Sequence, residues 1–75
     1  MLTLEDGSTY EGEWLVNTQV QQGRGLKNYK DGSLYEGYWR DGKRNGKGRL
    51  IHADGDVYVG SWKNDKANGF GIYYN

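Results

Sequence analysis

Few residues in this chain are of types that do chemistry, and their spacing decides what they can do. His52 is the single histidine and there is no cysteine. A general base needs a partner held within hydrogen-bond reach, and Ser8, Ser33 and Ser61 are not placed to share one histidine. Asp54-Gly55-Asp56 matches the opening of a calcium loop, but the later oxygen ligands and the distal glutamate of such a loop are missing. Gly-x-Gly at 46 and 48 resembles a phosphate-cradling turn, yet no helix pattern and no closing lysine follow it. Arg40, Lys43, Arg44, Lys47 and Arg49 form a basic cluster suited to an anionic ligand. Tyrosine and tryptophan at alternate positions could stack nucleobases. The expectation is therefore no catalysis, no metal, no cofactor and no small-molecule substrate.

The same residues acquire a different meaning once their recurrence is laid out. Tyr10, Gly12 and Trp14 return at Tyr35, Gly37 and Trp39 and again at Tyr58, Gly60 and Trp62. Gly23 and Gly25, Gly46 and Gly48, and Gly69 and Gly71 follow each other every 23 residues. Asp-Gly precedes each tyrosine, at positions 6, 31 and 54. Repetition of this kind assigns the glycines, the aspartates and the aromatic residues to architecture before chemistry.

Tyr-x-Gly-x-Trp has a period of two, and turn-forming residues (RDGKRN, KNDKAN) separate it from a second period-two run. Each unit thus reads as a β-hairpin. Placing Trp39 opposite Gly46 around a four-residue loop, residues 41–44, sets Gly37 opposite Gly48 and Tyr35 opposite Leu50. Between units, a three-residue loop with left-handed Gly55 pairs His52 with Asp56, and sets Leu50 beside Tyr58, Gly48 beside Gly60 and Gly46 beside Trp62. The chain is expected to be all-β, an elongated single-layer antiparallel meander of three hairpins with about six strands. The units are 10–34, 35–57 and 58–75, with 1–9 as the tail of a preceding one.

One face then carries three rows. Trp14, Gly23, Trp39, Gly46, Trp62 and Gly69 form the first, so that glycine flanks each interior indole on both sides. Gly12, Gly25, Gly37, Gly48, Gly60 and Gly71 form a bare groove. Leu2, Tyr10, Lys27, Tyr35, Leu50, Tyr58 and Tyr73 form the third. On the other face Glu13 is set beside Arg24, Glu36 beside Arg49 and Tyr38 beside Lys47, pairs worth about 0.2 to 1 kcal/mol each. That face turns apolar toward the C-terminus, where Val59 meets Ile72 and Ser61 meets Phe70, with Tyr74 beyond. Val59, Phe70, Ile72 and Tyr74 are the candidate partner-binding residues.

Three copies, YEGEW, YEGYW and YVGSW, each followed by Gly-x-Gly, resemble the MORN repeat (membrane occupation and recognition nexus) over about residues 5–75. The resemblance implies a twisted sheet of hairpins that recruits partners or assembles complexes without catalysis, in ciliary, axonemal or cytoskeletal settings, and in some members contact with anionic phospholipid. The basic cluster at the second hairpin is the candidate lipid contact. Two features are individual. The spacing from Trp to the next glycine is nine in the first unit against seven in the others, which is expected to lengthen each strand of that hairpin by about one residue. The array also begins in the tail of a unit and stops where the next turn should follow, so both ends are expected to be open edges for further repeats or protein partners.

Ten basic residues balance ten acidic ones, so no general attraction draws a nucleic-acid backbone. No apolar run is long enough to span a membrane, and the opening MLTLEDGS lacks the basic and apolar regions of a secretory leader. A soluble cytoplasmic protein is the expectation.

Overall fold

The computed structural model describes residues 2–18 and 20–75. Seven strands form one antiparallel sheet in which every strand lies beside its sequence neighbour. They are β1 (Leu2–Thr3), β2 (Thr9–Trp14), β3 (Gln21–Asn28), β4 (Leu34–Arg40), β5 (Lys43–Ile51), β6 (Val57–Lys63) and β7 (Lys66–Tyr74). The two-residue β1 pairs Leu2 with Tyr10, which raises the count above the six strands expected.

Between units the register follows the sequence reading throughout. Gly23 faces Trp39, Gly25 faces Gly37 and Lys27 faces Tyr35, and Gly46, Gly48 and Leu50 face Trp62, Gly60 and Tyr58. The linking loops share one construction. The amide of Leu4, Tyr29 or His52 donates to the carbonyl of Ser8, Ser33 or Asp56 respectively. Inside each loop an aspartate carboxylate, Asp6, Asp31 or Asp54, accepts from the amide two residues on, the turn that aspartate side chains favour. Asp54 is thereby committed to its own loop.

Within hairpins the register departs from expectation beyond the glycine row. Gly37 does face Gly48, but Trp39 then pairs with Arg44 and Arg40 with Lys43. Trp14 likewise pairs with Gln21, and Trp62 with Ala67. Asp41 and Gly42 both take positive φ, 52° and 79°, as do Asn64 and Asp65 at 50° and 70°. Such two-residue turns match the twist of the flanking strands, so the second and third hairpins close two residues tighter than the four-residue loop envisaged. The residues released, Asn45 and Gly46 in the second unit, become a bulge with Gly46 at φ 90°. Trp39 and Trp62 therefore face glycine on one side only and Trp14 on neither, and Ser61 and Phe70 fall where the register shifts rather than opposite each other.

In the first unit β2 is no longer than its counterparts. The Leu15 amide donates to the Val20 carbonyl at 2.8 Å, so the hairpin closes at that pair and the strands are not lengthened. Gln19, within the segment that carries the two extra residues in sequence, lies outside the described residues.

Candidate interaction surfaces

The expected bare groove is closed. Each tyrosine lies across the glycine of the following strand: a Cβ on Gly25, Gly48 or Gly71 would overlap the phenol of Tyr10, Tyr35 or Tyr58. The Tyr10 hydroxyl donates to the Glu13 carbonyl at 2.8 Å, and that of Tyr35 to the Tyr38 carbonyl at 3.2 Å. Glycines are needed here so that a ring can sit directly on the sheet. The indoles fill the intervals. Trp14, Tyr10, Trp39, Tyr35, Trp62 and Tyr58 form one continuous edge-to-face ladder with centroid separations of 4.5 to 5.6 Å. Trp39 and Trp62 donate Nε1–H to the carbonyls of Gly25 and Gly48, both at 3.2 Å. The aromatic face is thus the core of the protein, with Tyr10 and Tyr35 at 1% and 0% exposure.

Burial pushes the Tyr10 and Tyr35 phenols from 10.0 up to about 12. The fold favours the neutral phenol, so the stabilisation is complete below pH 10, the unfolded value, and is lost as pH rises from there to about 12. Alkaline titration should therefore show tyrosinate absorbance and loss of the sheet signal rising together across that interval.

The basic cluster is divided by the alternation of the strands. Arg44 lies on the aromatic face, its guanidinium 4.7 Å from the Trp62 ring and its Nε 3.3 Å from the Asp65 carboxylate. Its Nη2 donates to the Asp65 carbonyl at 2.7 Å, and its amide to the Asp65 carboxylate at 2.8 Å. Arg44 thereby clamps the second hairpin to the tip of the third. Nothing in the repeat signals this, since Gln21 and Ala67 hold the equivalent positions.

Arg40, Lys43, Lys47 and Arg49 lie on the opposite face. Arg40 and Lys43 close the second tip, and Lys63 and Lys66, not singled out from sequence, close the third in the same way. Between the two tips is an open cleft of about 340 Å³ lined by Arg40, Asp41, Asn45, Trp62, Lys63 and Asn68. Of the charged pairs expected on this face, Glu36 does stand opposite Arg49. Glu13 instead accepts from the Arg24 amide, because the bulge at Gly23 turns the backbone toward it. Tyr38 stands opposite Arg24 rather than Lys47.

The same face carries an apolar band. Leu34, Ile51, Val57 and Tyr74 form a row across four strands, and Val59 with Ile72 forms part of the next. Phe70 is 94% exposed and Ile72 59%, and no second layer covers them among the described residues. Val59, Phe70, Ile72 and Tyr74 are thus brought to one surface, but the band is wider than those four.

The remaining polar candidates have structural partners. Ser8 and Ser33 donate to Asp6 and Asp31, and the His52 ring lies 6.2 Å from that of Tyr73, whose hydroxyl donates to Asp56.

A family model described as the MORN repeat matches residues 35–57 and 58–75, together more than half of the chain. The first unit, with its two extra residues in sequence, is outside the matched residues. No curated protein matches the chain.

Proposed function

The chain belongs to the MORN-repeat family, and from that premise we propose that it is a non-catalytic scaffold or adaptor that binds protein within a larger assembly. Ciliary and cytoskeletal complexes are the settings the family resemblance favours. The observation that carries this reading is the uncovered apolar band on the face opposite the aromatic ladder, ending in Phe70, Ile72 and Tyr74. Exposed apolar surface of this continuity commonly marks a contact. The band lies away from the ladder that holds the sheet together, so it is available without cost to the fold.

Phe70→Asp with Ile72→Asp tests it. In a quantitative pull-down this variant should retain less than a tenth of the parent's captured partner, with a thermal midpoint within a few degrees of the parent. An unchanged captured set would remove this face from consideration.

A second reading is supported by the four bases that close adjacent tips, Arg40, Lys43, Lys63 and Lys66. Each base near an anionic bilayer gains about 1 kcal/mol. Salt-sensitive sedimentation with anionic vesicles, lost when all four are replaced by alanine, would select lipid contact over the apolar band.

A further inference from the structure

On the face opposite the aromatic ladder the apolar side chains also form a strip that runs along β6 and β7. Val57 stands opposite Tyr74 and Val59 opposite Ile72, and Phe70 continues the line. No aspartate or glutamate interrupts 57–63 or 66–74. The backbone of β6 is paired on both sides, with β5 and with β7, so this face offers a partner side chains and no free ladder. A segment that docks here must satisfy its own amides. A helix does so internally, and helix against sheet is one of the few layer arrangements that bury a sheet face. The dimensions agree. The seven residues of β6 span about 20 Å, the length of about fourteen residues of helix, and a helix about 10 Å across covers two strands.

The charges around the strip are polarised along the strands. The links at 4–8, 29–33 and 52–56 hold Glu5, Asp6, Asp31, Asp54 and Asp56 against the single base Lys30. At the other end Arg40 pairs with Lys43 and Lys63 with Lys66. Of the acids in those two tips, Asp65 is held by Arg44, which leaves Asp41. On the β5 flank Lys47 stands opposite Ser61 and Arg49 opposite Val59, Arg49 being matched by Glu36 on its other side. The strip thus leads from an acidic margin to a basic one in the direction of β6. A helix carries its own polarity, positive at the N-terminal end and negative at the C-terminal end.

We propose that the strip over β6 and β7 is the docking site for an amphipathic helix of a protein partner, its apolar stripe on Val57, Val59, Phe70, Ile72 and Tyr74 and carboxylates in its last turn over Lys63 and Lys66. The helix runs parallel to β6, so that its negative end and its acids meet the basic tips while its N-terminal end lies by the acidic link at 52–56. Apolar burial supplies the affinity, and the carboxylates fix the direction. The proposal rests on reading the apolar band as a protein contact, and adds to that reading the form, length and direction of what binds.

The test is titration of the folded, isotope-labelled chain with a synthetic amphipathic peptide of about fourteen residues, with leucine along one face, glutamate in its last turn only and a nitroxide at its C-terminus. Saturable shifts at 57–63 and 70–74 are expected, with nitroxide broadening strongest at 63–66 and weak at 54–56. The peptide with glutamine in place of glutamate should bind at least tenfold more weakly, and that with serine in place of leucine should not bind measurably. All substitutions are in the peptide, so folding of the chain is not at issue. Absence of shifts at millimolar peptide, shifts confined to the tips, strongest broadening at 54–56, or equal binding of the glutamine peptide would each overturn the proposal. So would shifts at 57–63 and 70–74 that grow with the concentration of the chain alone, since a second copy would then cover the strip. The pull-down of the Phe70→Asp, Ile72→Asp variant asks only whether the band holds protein: a positive result there beside a failed titration removes the helix and keeps the contact, and an unchanged captured set removes both.

Discussion

Gly48→Ala is expected to unfold the array under conditions where the parent is folded, although it adds one methyl group. The position is extended backbone, so strain in φ contributes nothing. The cost is steric. The added Cβ would overlap the Oη and Cζ atoms of Tyr35, the most deeply buried side chain at 0% exposure. To admit the methyl, Tyr35 must leave the sheet. It then loses its hydroxyl bond to the Tyr38 carbonyl and its stacking on Trp39 and Trp62. Overpacking alone costs about 1 to 3 kcal/mol, and exposing a large aromatic ring adds about 2 kcal/mol. A domain of this size has little more than that in reserve. Thermal unfolding followed by the sheet signal is the measurement, and a midpoint within a few degrees of the parent would mean that Tyr35 does not lie on Gly48.

Gly46→Ala gives the contrast within the same experiment. Its Cβ would lie 3.3 Å from the Tyr38 Cβ, and φ there is 90°, so the penalty is left-handed strain of about 1 to 2 kcal/mol. Spacing alone could not separate these two glycines. Both recur every 23 residues, yet one is the floor beneath a phenol and the other a bulge residue within its own hairpin.

What was legible in the sequence was whatever the repeat enforces at every unit. The meander, the inter-unit register and the three-residue links follow from where Tyr, Gly, Trp and Asp-Gly return, because a slip of one residue would turn every aromatic side chain to the wrong face. What escaped was decided by energies that a pattern of letters does not carry. Asp41-Gly42 could serve a four-residue loop or a two-residue turn with both φ positive, and the tighter turn prevailed because it matches strand twist. That choice displaced Gly46 from Trp39, put Arg44 there instead, and directed its side chain over Trp62. The basic cluster reads as one patch in sequence for the same reason: until the bulge is known, the face of Arg44 is undetermined. The glycine groove differs from its sequence expectation for another reason. Period two shows that Tyr35 and Gly37 share a face, but not that a phenol reaches from its own strand across to Gly48. By contrast Val59, Ile72 and Tyr74 were placed correctly on one face, since the glycine row above the bulge keeps strict alternation.

Trp39→Ala should separate the first unit from the rest, which makes it the sharper test of how the ladder works. Trp39 is 3% exposed and is the only indole that touches two buried tyrosines, Tyr10 at 5.6 Å and Tyr35 at 5.1 Å. It also carries the Nε1–H bond to Gly25 that ties β4 to β3. Truncation removes both stackings, leaves the Gly25 carbonyl without its partner and opens a cavity, together about 3 to 5 kcal/mol. In an array where each unit is supported by its neighbours, a loss at one boundary is felt mainly there. Hydrogen exchange should therefore show β2 and β3 losing protection first, while β5, β6 and β7 keep the Trp62 contacts to Tyr35 and Tyr58. Trp14→Ala, which removes a half-buried end rung touching Tyr10 alone, should cost less than half as much. Equal destabilisation by the two variants, or uniform loss of protection in Trp39→Ala, would show that the sheet folds as one cooperative block rather than rung by rung.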